Sequence, residues 1–385
     1  VAVDFAARAA GLVAGPRGRA LCAAAIGLDF HVLLRTLGIP ISDSTSELIA
    51  WGNDEQGGRP PSGRAEVDRR AADVSGGVVA VIDRRLAGSD LAVLGATTDA
   101  VALLGPLSDA VSGWAFSDDQ IQAAVVLGDG ADALLPVAEA LARAPGAAWW
   151  WDPAPAEGHR WVAWSYQPQG PPPLGQAAEA LRTWDDNEAS AEARSADMLP
   201  FPPTATGRHY SGIWGSAPRA AGILGTTRAV AELPAAALAL SEDEGGYEAA
   251  EIWDIRVDPS VEVYEIDSPH AWCALVDTWP REVTLSRRHD WWRWTGSEGP
   301  WLLPDWTRVA EHYDGVHLSV AAHLQASYRA LPVGQSAYTC LAGWDPDETV
   351  WLSDACRSAT LVAHLEEGFI TRILPQPAPP PASQT

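Results

Sequence analysis

The chain reads as an α+β protein, with a helix-leaning N-terminal region followed by a mixed-sheet, tryptophan-rich C-terminal α+β domain. Ala-, Val- and Leu-rich stretches with helical character dominate residues 1–148. After residue 207 short alternating runs interleave with capped helices up to residue 374. Proline clusters mark the edges: a Trp- and Pro-rich connector with one helix over residues 149–206, and a tail over 375–385 that reads as disordered.

In chain order, Ala6–Ala14 and Ala20–Leu37 read as helices, with Gly38 and Pro40 as stop signals. The polar stretch Gly52–Gly63 reads as a loop. Gly77–Asp83 (GVVAVID) is β-branched and is expected to be a short buried strand. Asp118–Ala144 reads as helix interrupted near Gly128-Asp129-Gly130. In the connector, Leu174–Ala196 is the expected helix, closed by Pro200-Phe201-Pro202-Pro203.

Glu251–Val257 and Val261–Ile266 then alternate as strands around the turn Asp258-Pro259-Ser260. Ser268 caps a helix that begins at Pro269 and runs to Trp279, because a serine hydroxyl satisfies a free amide and proline suits the first turn. Asp305–Tyr313 reads as helix, Gly315–Val320 as strand and Ala321–Ala330 as helix. Tyr338–Trp344 and Thr349–Leu352 close the set as strands of one mostly mixed sheet.

A hydrophobic fraction of 47% with 20% charged residues is enough to fold most of the chain. The net charge of −24 repels phosphate backbones and anionic lipid heads, so nucleic acid and membrane are not expected partners. All 26 basic residues are arginine, which excludes Walker-type lysine contacts, Schiff-base chemistry and a pyridoxal-phosphate anchor. Cys22, Cys273, Cys340 and Cys356 are widely spaced, and no signal-peptide core or membrane-length apolar run is seen. A reduced, cytoplasmic location is the expectation.

Eleven of the nineteen tryptophans lie between Trp214 and Trp351, which concentrates stacking capacity in one half of the chain. Each single tryptophan is first a core residue. In His289-Asp290-Trp291-Trp292-Arg293-Trp294, however, three indoles cannot all face inward on one helix or strand. Asp345-Pro346-Asp347-Glu348-Thr349 matches a D-x-D-x-T phosphotransferase signature only in letters, because that signature opens its domain. Here the ordinary reading is a solvated acidic turn before a strand. His312, His317 and His323 have no metal-ligand spacing, and no G-x-S-x-G elbow is present. Arg208-His209-Tyr210-Ser211 opens the domain after the proline boundary.

On the H/Y opening, the R-R-H-D-W-W segment and the closing A-G-W-D-P-D-E-T-x-W-L, residues from about His209 to Leu352 resemble a set of uncharacterised proteins of GC-rich actinobacteria. More loosely, the order of elements resembles the ADP-ribosyltransferase-like fold. That resemblance implies NAD as a substrate rather than a resident cofactor. It further implies catalytic roles for Glu348 and His209, and cofactor contacts from Arg208, Tyr210, Trp292 and Trp294. The middle motif of that fold has only Ser211, Ser216, Thr226 and Tyr247 as candidates. The alternative is a non-catalytic acidic binding or immunity-type module that docks a basic protein. Carbohydrate stacking on exposed tryptophan stands third.

Overall fold

The computed structural model describes residues 3–39, 77–111, 118–165, 170–196, 212–242, 249–366 and 368–369. The expected loop at 52–63, the 200–203 proline segment, the Arg208–Ser211 opening and the C-terminal tail lie outside the described residues. The class is α+β.

The N-terminal helices are Phe5–Ala14, Pro16–Ala25, Phe30–Thr36, 77–87, Leu91–Gly95, Ala100–Val111, Asp118–Asp129 and Ala131–Arg143. The expected helix over Ala20–Leu37 is two helices. Gly27 adopts φ +68°, a left-handed conformation, and Asp29 restarts the chain by accepting the Val32 amide at 2.8 Å. GVVAVID is not a strand but the first part of helix 77–87. Val78, Val81 and Ile82 are buried while Val79 is exposed, and this is a helical spacing of three and four. Packing of that stripe overrides the β-branched preference.

Among the described residues eleven strands follow: β1 His159–Trp164, β2 Leu224–Thr226, β3 Ala250–Val257, β4 Val263–Ile266, β5 Pro280–Glu282, β6 Leu302–Pro304, β7 Gly315–Leu318, β8 Leu331–Val333, β9 Ala337–Thr339, β10 Thr349–Trp351 and β11 Cys356–Leu365. The expected single mixed sheet is two principal sheets. One is antiparallel in the order β1-β3-β11; the other runs β2-β10-β7-β4, with β4 and β7 parallel. The turn after β3 therefore does not close a hairpin. Asp258 accepts from both the amide and the hydroxyl of Ser260, and the chain leaves for the other sheet. β11, ten residues long and at an edge, is an element that the sequence reading omitted.

Two helices on the four-stranded side are capped from a distance. Ala177–Ser195 receives Asp354 Oδ1 at its Ala177 amide (3.0 Å). Thr284–Thr295, the R-R-H-D-W-W helix, has no capping side chain of its own. Instead both Glu192 oxygens accept the Leu285 and Ser286 amides at 2.7 and 2.9 Å. A carboxylate there meets free amides and the positive end of the helix dipole. Glu188 on the same helix pairs with buried Arg287 at 2.9 Å, so the two helices are held by charge as well as by Leu181 and Trp184.

Apolar packing runs across residue 148. One core gathers Leu12, Leu21, Leu104, Leu141 and Trp150 with Leu233, Leu240, Ile252, Val320 and Leu324. The contact is tight at Gly15, where a Cβ would stand 2.0 Å from the Leu324 carbonyl oxygen. A second core holds most of the tryptophan. Trp272, Trp306 and Trp344 form a closed triad with ring centroids 5.6–6.3 Å apart. Trp272 and Trp306 give their indole N–H groups to Thr339 Oγ1 and the Ser216 carbonyl, both at 3.1 Å. A buried indole is stable there because its donor is satisfied. Replacing Trp306 by Ala is expected to cost about 3–5 kcal/mol in urea denaturation, and the same change at half-buried Trp292 less than half of that.

Candidate functional site

The segment that joins the second core to β10 gathers the charged groups. Gly343 lies at φ +62°, where a Cβ would come within 2.6 Å of the Trp214 ring. Its amide donates to Glu242 Oε2 (2.9 Å), and the Glu242 amide donates to Asp345 Oδ1 (2.9 Å). Asp347, at φ +64°, has a left-handed backbone that aspartate tolerates better than most residues. Its amide donates to the Leu318 carbonyl, while Leu318 donates back to Glu348, locking the segment against the end of β7.

Asp347 accepts two hydrogen bonds from Arg228, at 2.9 Å from the amide and 2.6 Å from Nε, and lies 3.5 Å from His317 Nε2. His317 Nδ1 stands 2.6 Å from Glu265 Oε2. Burial opposes the charge of this imidazole, but Asp347 and Glu265 outweigh burial and raise its pKa. His159 lies close by, edge-on to Trp351 and 3.2 Å from Thr226 Oγ1. Burial and then the nearby His317 push it down to about 4. The two histidines are thus shifted in opposite directions.

Glu348 takes both guanidinium nitrogens of Arg219, at 2.5 and 2.6 Å. Arg219 is about half exposed (48%) whereas the Glu348 side chain is almost covered (7%). Burial opposes the arginine's charge, yet Glu348 raises its pKa. Gly225 gives the carboxylate its room, since a Cβ there would sit 1.7 Å from Glu348 Oε1. Burial, followed by the charge of Glu348, pushes Asp345 up to about 7. Glu242 is compensated by His323 (2.8 Å), the Tyr328 hydroxyl (2.9 Å) and Arg17, whose guanidinium covers the Tyr328 ring at 4.7 Å. Burial opposes its charge, but these partners lower its pKa.

The acidic turn is therefore not solvated. Asp347 and Glu348 are buried because arginine and histidine neutralise them, and neither partner is adjacent in sequence. Of the other expected site residues, Trp294 is buried edge-on to Trp214 (6.1 Å) and to Tyr328 (4.7 Å). It thus joins the same cluster through Trp214 and Glu242. Trp292 is half-buried on the opposite side of its helix. His289, Asp290 and Arg293 are buried and engaged in contacts. Arg208, His209 and Tyr210 lie outside the described residues. Arg219 and Glu242 were not singled out from the sequence, and Asp345 was read only as part of a solvated acidic turn. A lone arginine after a proline and a glutamate at the end of Ala-Leu-Ala-Leu-Ser carry no local signal. Among the described residues no group of three or more His, Cys, Asp or Glu is arranged to hold a metal ion, and no helix is long and apolar enough to cross a membrane.

Two measurements check this geometry. Arg219→Ala strands Glu348 in a covered site and is expected to cost about 1–3 kcal/mol, of which Glu348→Gln in the same chain restores at least half. For Asp345 the folded pKa lies above the unfolded one. Its contribution to stability is therefore complete below the ordinary carboxylate range and is lost as pH rises through about 7. Asp345→Asn removes that loss. The stability of the variant relative to the parent should increase by about 1 kcal/mol or more between pH 4 and 8, read from denaturation midpoints at each pH. No protein-family model, curated protein or solved structure matches this chain.

Proposed function

We propose that the chain is an NAD-using, ADP-ribosyltransferase-like enzyme, with Glu348 as the carboxylate that polarises the ribose hydroxyl. The observation that supports this is the Arg219–Glu348 pair at the entry to β10. The carboxylate is held in one orientation by two hydrogen bonds, beside a second carboxyl, Asp345, poised near neutrality. Trp214, Trp294 and Tyr328 belong to the same cluster and supply aromatic surface.

In this reading the bond between ribose carbon and nicotinamide nitrogen breaks heterolytically. The electron pair leaves with nicotinamide and neutralises its ring charge. The ribose becomes oxocarbenium-like, and a fixed carboxylate stabilises it without reorganising. Water or an acceptor then attacks the ribose carbon and loses a proton, which Asp345 is suited to accept. Half-exposed Arg219 serves as the positioning residue for Glu348. His209, Arg208 and Tyr210 keep their proposed contacts to the dinucleotide, whereas Trp292 faces away from the cluster.

The second reading is a non-catalytic acidic module that docks a basic protein partner. It is favoured by the net charge of −24 and by a Glu348 carboxylate already matched by an arginine. NAD consumption decides between them. Purified protein should release nicotinamide from NAD, and Glu348→Gln should slow that at least a hundredfold while circular dichroism stays unchanged. A parent protein that leaves NAD intact, or a variant as fast as the parent, removes the enzymatic reading.

A further inference from the structure

The N-terminal helices enclose a cleft of about 380 Å³, lined by Ile26, Thr36, Val81, Arg84, Arg85, Gly88 and Ser89. That volume suits a small molecule. Three helix ends meet there. Ile26 closes Pro16–Ala25, Thr36 closes Phe30–Thr36, and the arginines stand in the last turn of helix 77–87. Ile26 and Val81 are buried and give the cleft an apolar wall. Arg84 and Arg85 are exposed, and neither guanidinium has an ion-pair partner among the described residues. Arg85 reaches back over the turn, with Nη1 3.9 Å from where a Gly27 Cβ would lie.

On this cleft two arginines without an ion-pair partner among the described residues stand together in a chain with 50 acidic residues, whereas Arg228 and Arg287 are committed to carboxylates. Favourable charge at a helix C-terminus accounts for their position in the last turn. It does not account for a cavity with an apolar wall beside them. Successive helix residues point about 100° apart, so the pair flanks the cleft instead of forking one oxygen pair. Two separated guanidinium groups match the divalent charge and several acceptor oxygens of a phosphate ester. Screening limits the reach of the remaining acidic surface to about 8 Å at physiological salt.

We infer that this cleft binds a phosphomonoester through Arg84 and Arg85, with the ester's apolar group against Ile26 and Val81. The site is independent of the β10 cluster and of the activity proposed there.

Phenyl phosphate is the probe, titrated calorimetrically into the full chain, with inorganic phosphate and phenol as separate arms. Saturable binding of phenyl phosphate is expected, tighter than that of inorganic phosphate and weakened by added salt. Arg84→Gln with Arg85→Gln should lower the affinity at least tenfold at unchanged helical signal. The two single variants serve the same purpose if the double variant loses that signal. Absence of saturable phenyl phosphate binding overturns the inference, and so does unchanged affinity in the variants. Phenol binding as well as phenyl phosphate, or inorganic phosphate binding equally tightly, overturns it too, because the site would then read only one half of the ligand.

Discussion

Asp347 ties together segments that are far apart in the chain. Its two oxygens hold the amide and guanidinium of Arg228 and face His317. Through Arg228 it reaches the Pro153 carbonyl at 2.7 Å, and through His317 it reaches Glu265 on β4. Glu265 in turn accepts the Ala154 amide at 3.0 Å. The 150s segment, β4, β7 and the approach to β10 are thus tied to one buried carboxylate. A charge in that position is tolerable because each of its oxygens accepts a hydrogen bond from Arg228. Its left-handed backbone is held by the hydrogen bond from its own amide to the Leu318 carbonyl and by the one from the Leu318 amide to the Glu348 carbonyl.

Arginine makes this arrangement possible. A guanidinium can enter a partly dry site and present several donors in a fixed plane, where an ammonium would demand more hydration. The same device recurs at Arg219–Glu348, Arg228–Asp347 and Arg287–Glu188. Absence of lysine in the sequence is thus matched by arginine forks inside the fold. The net charge of −24 is set by composition, 50 acidic against 26 basic residues, and this pairing leaves it unchanged.

The tryptophans divide in a related way. Among the described residues seven are essentially inaccessible, including the Trp272–Trp306–Trp344 triad, so much of the aromatic concentration is core volume. Trp214 is the exception that matters. It is half-buried, accepts the Trp291 indole at its carbonyl (2.9 Å), and stands between the second core and the Glu242–Asp345 carboxyls. Aromatic surface and acidic chemistry meet at this point rather than along the whole R-R-H-D-W-W helix.

Local chemistry was legible from the residues alone wherever neighbours in sequence decide the outcome. The Ser268-Pro269 helix start, the break at Gly128-Asp129-Gly130, the strands Glu251–Val257 and Thr349–Leu352 and the α+β class all follow from caps, breakers and periodicity. Three things required the tertiary structure. GVVAVID is helical because its valines meet other helices; the strands divide between two sheets because β3 and β4 find different neighbours. The acidic turn is buried because Arg219, Arg228 and His317 arrive from positions 30 to 129 residues away. Sequence states which charges exist. Only the fold states which of them cancel, since Coulomb energy depends on distance in space and on the water removed between the partners.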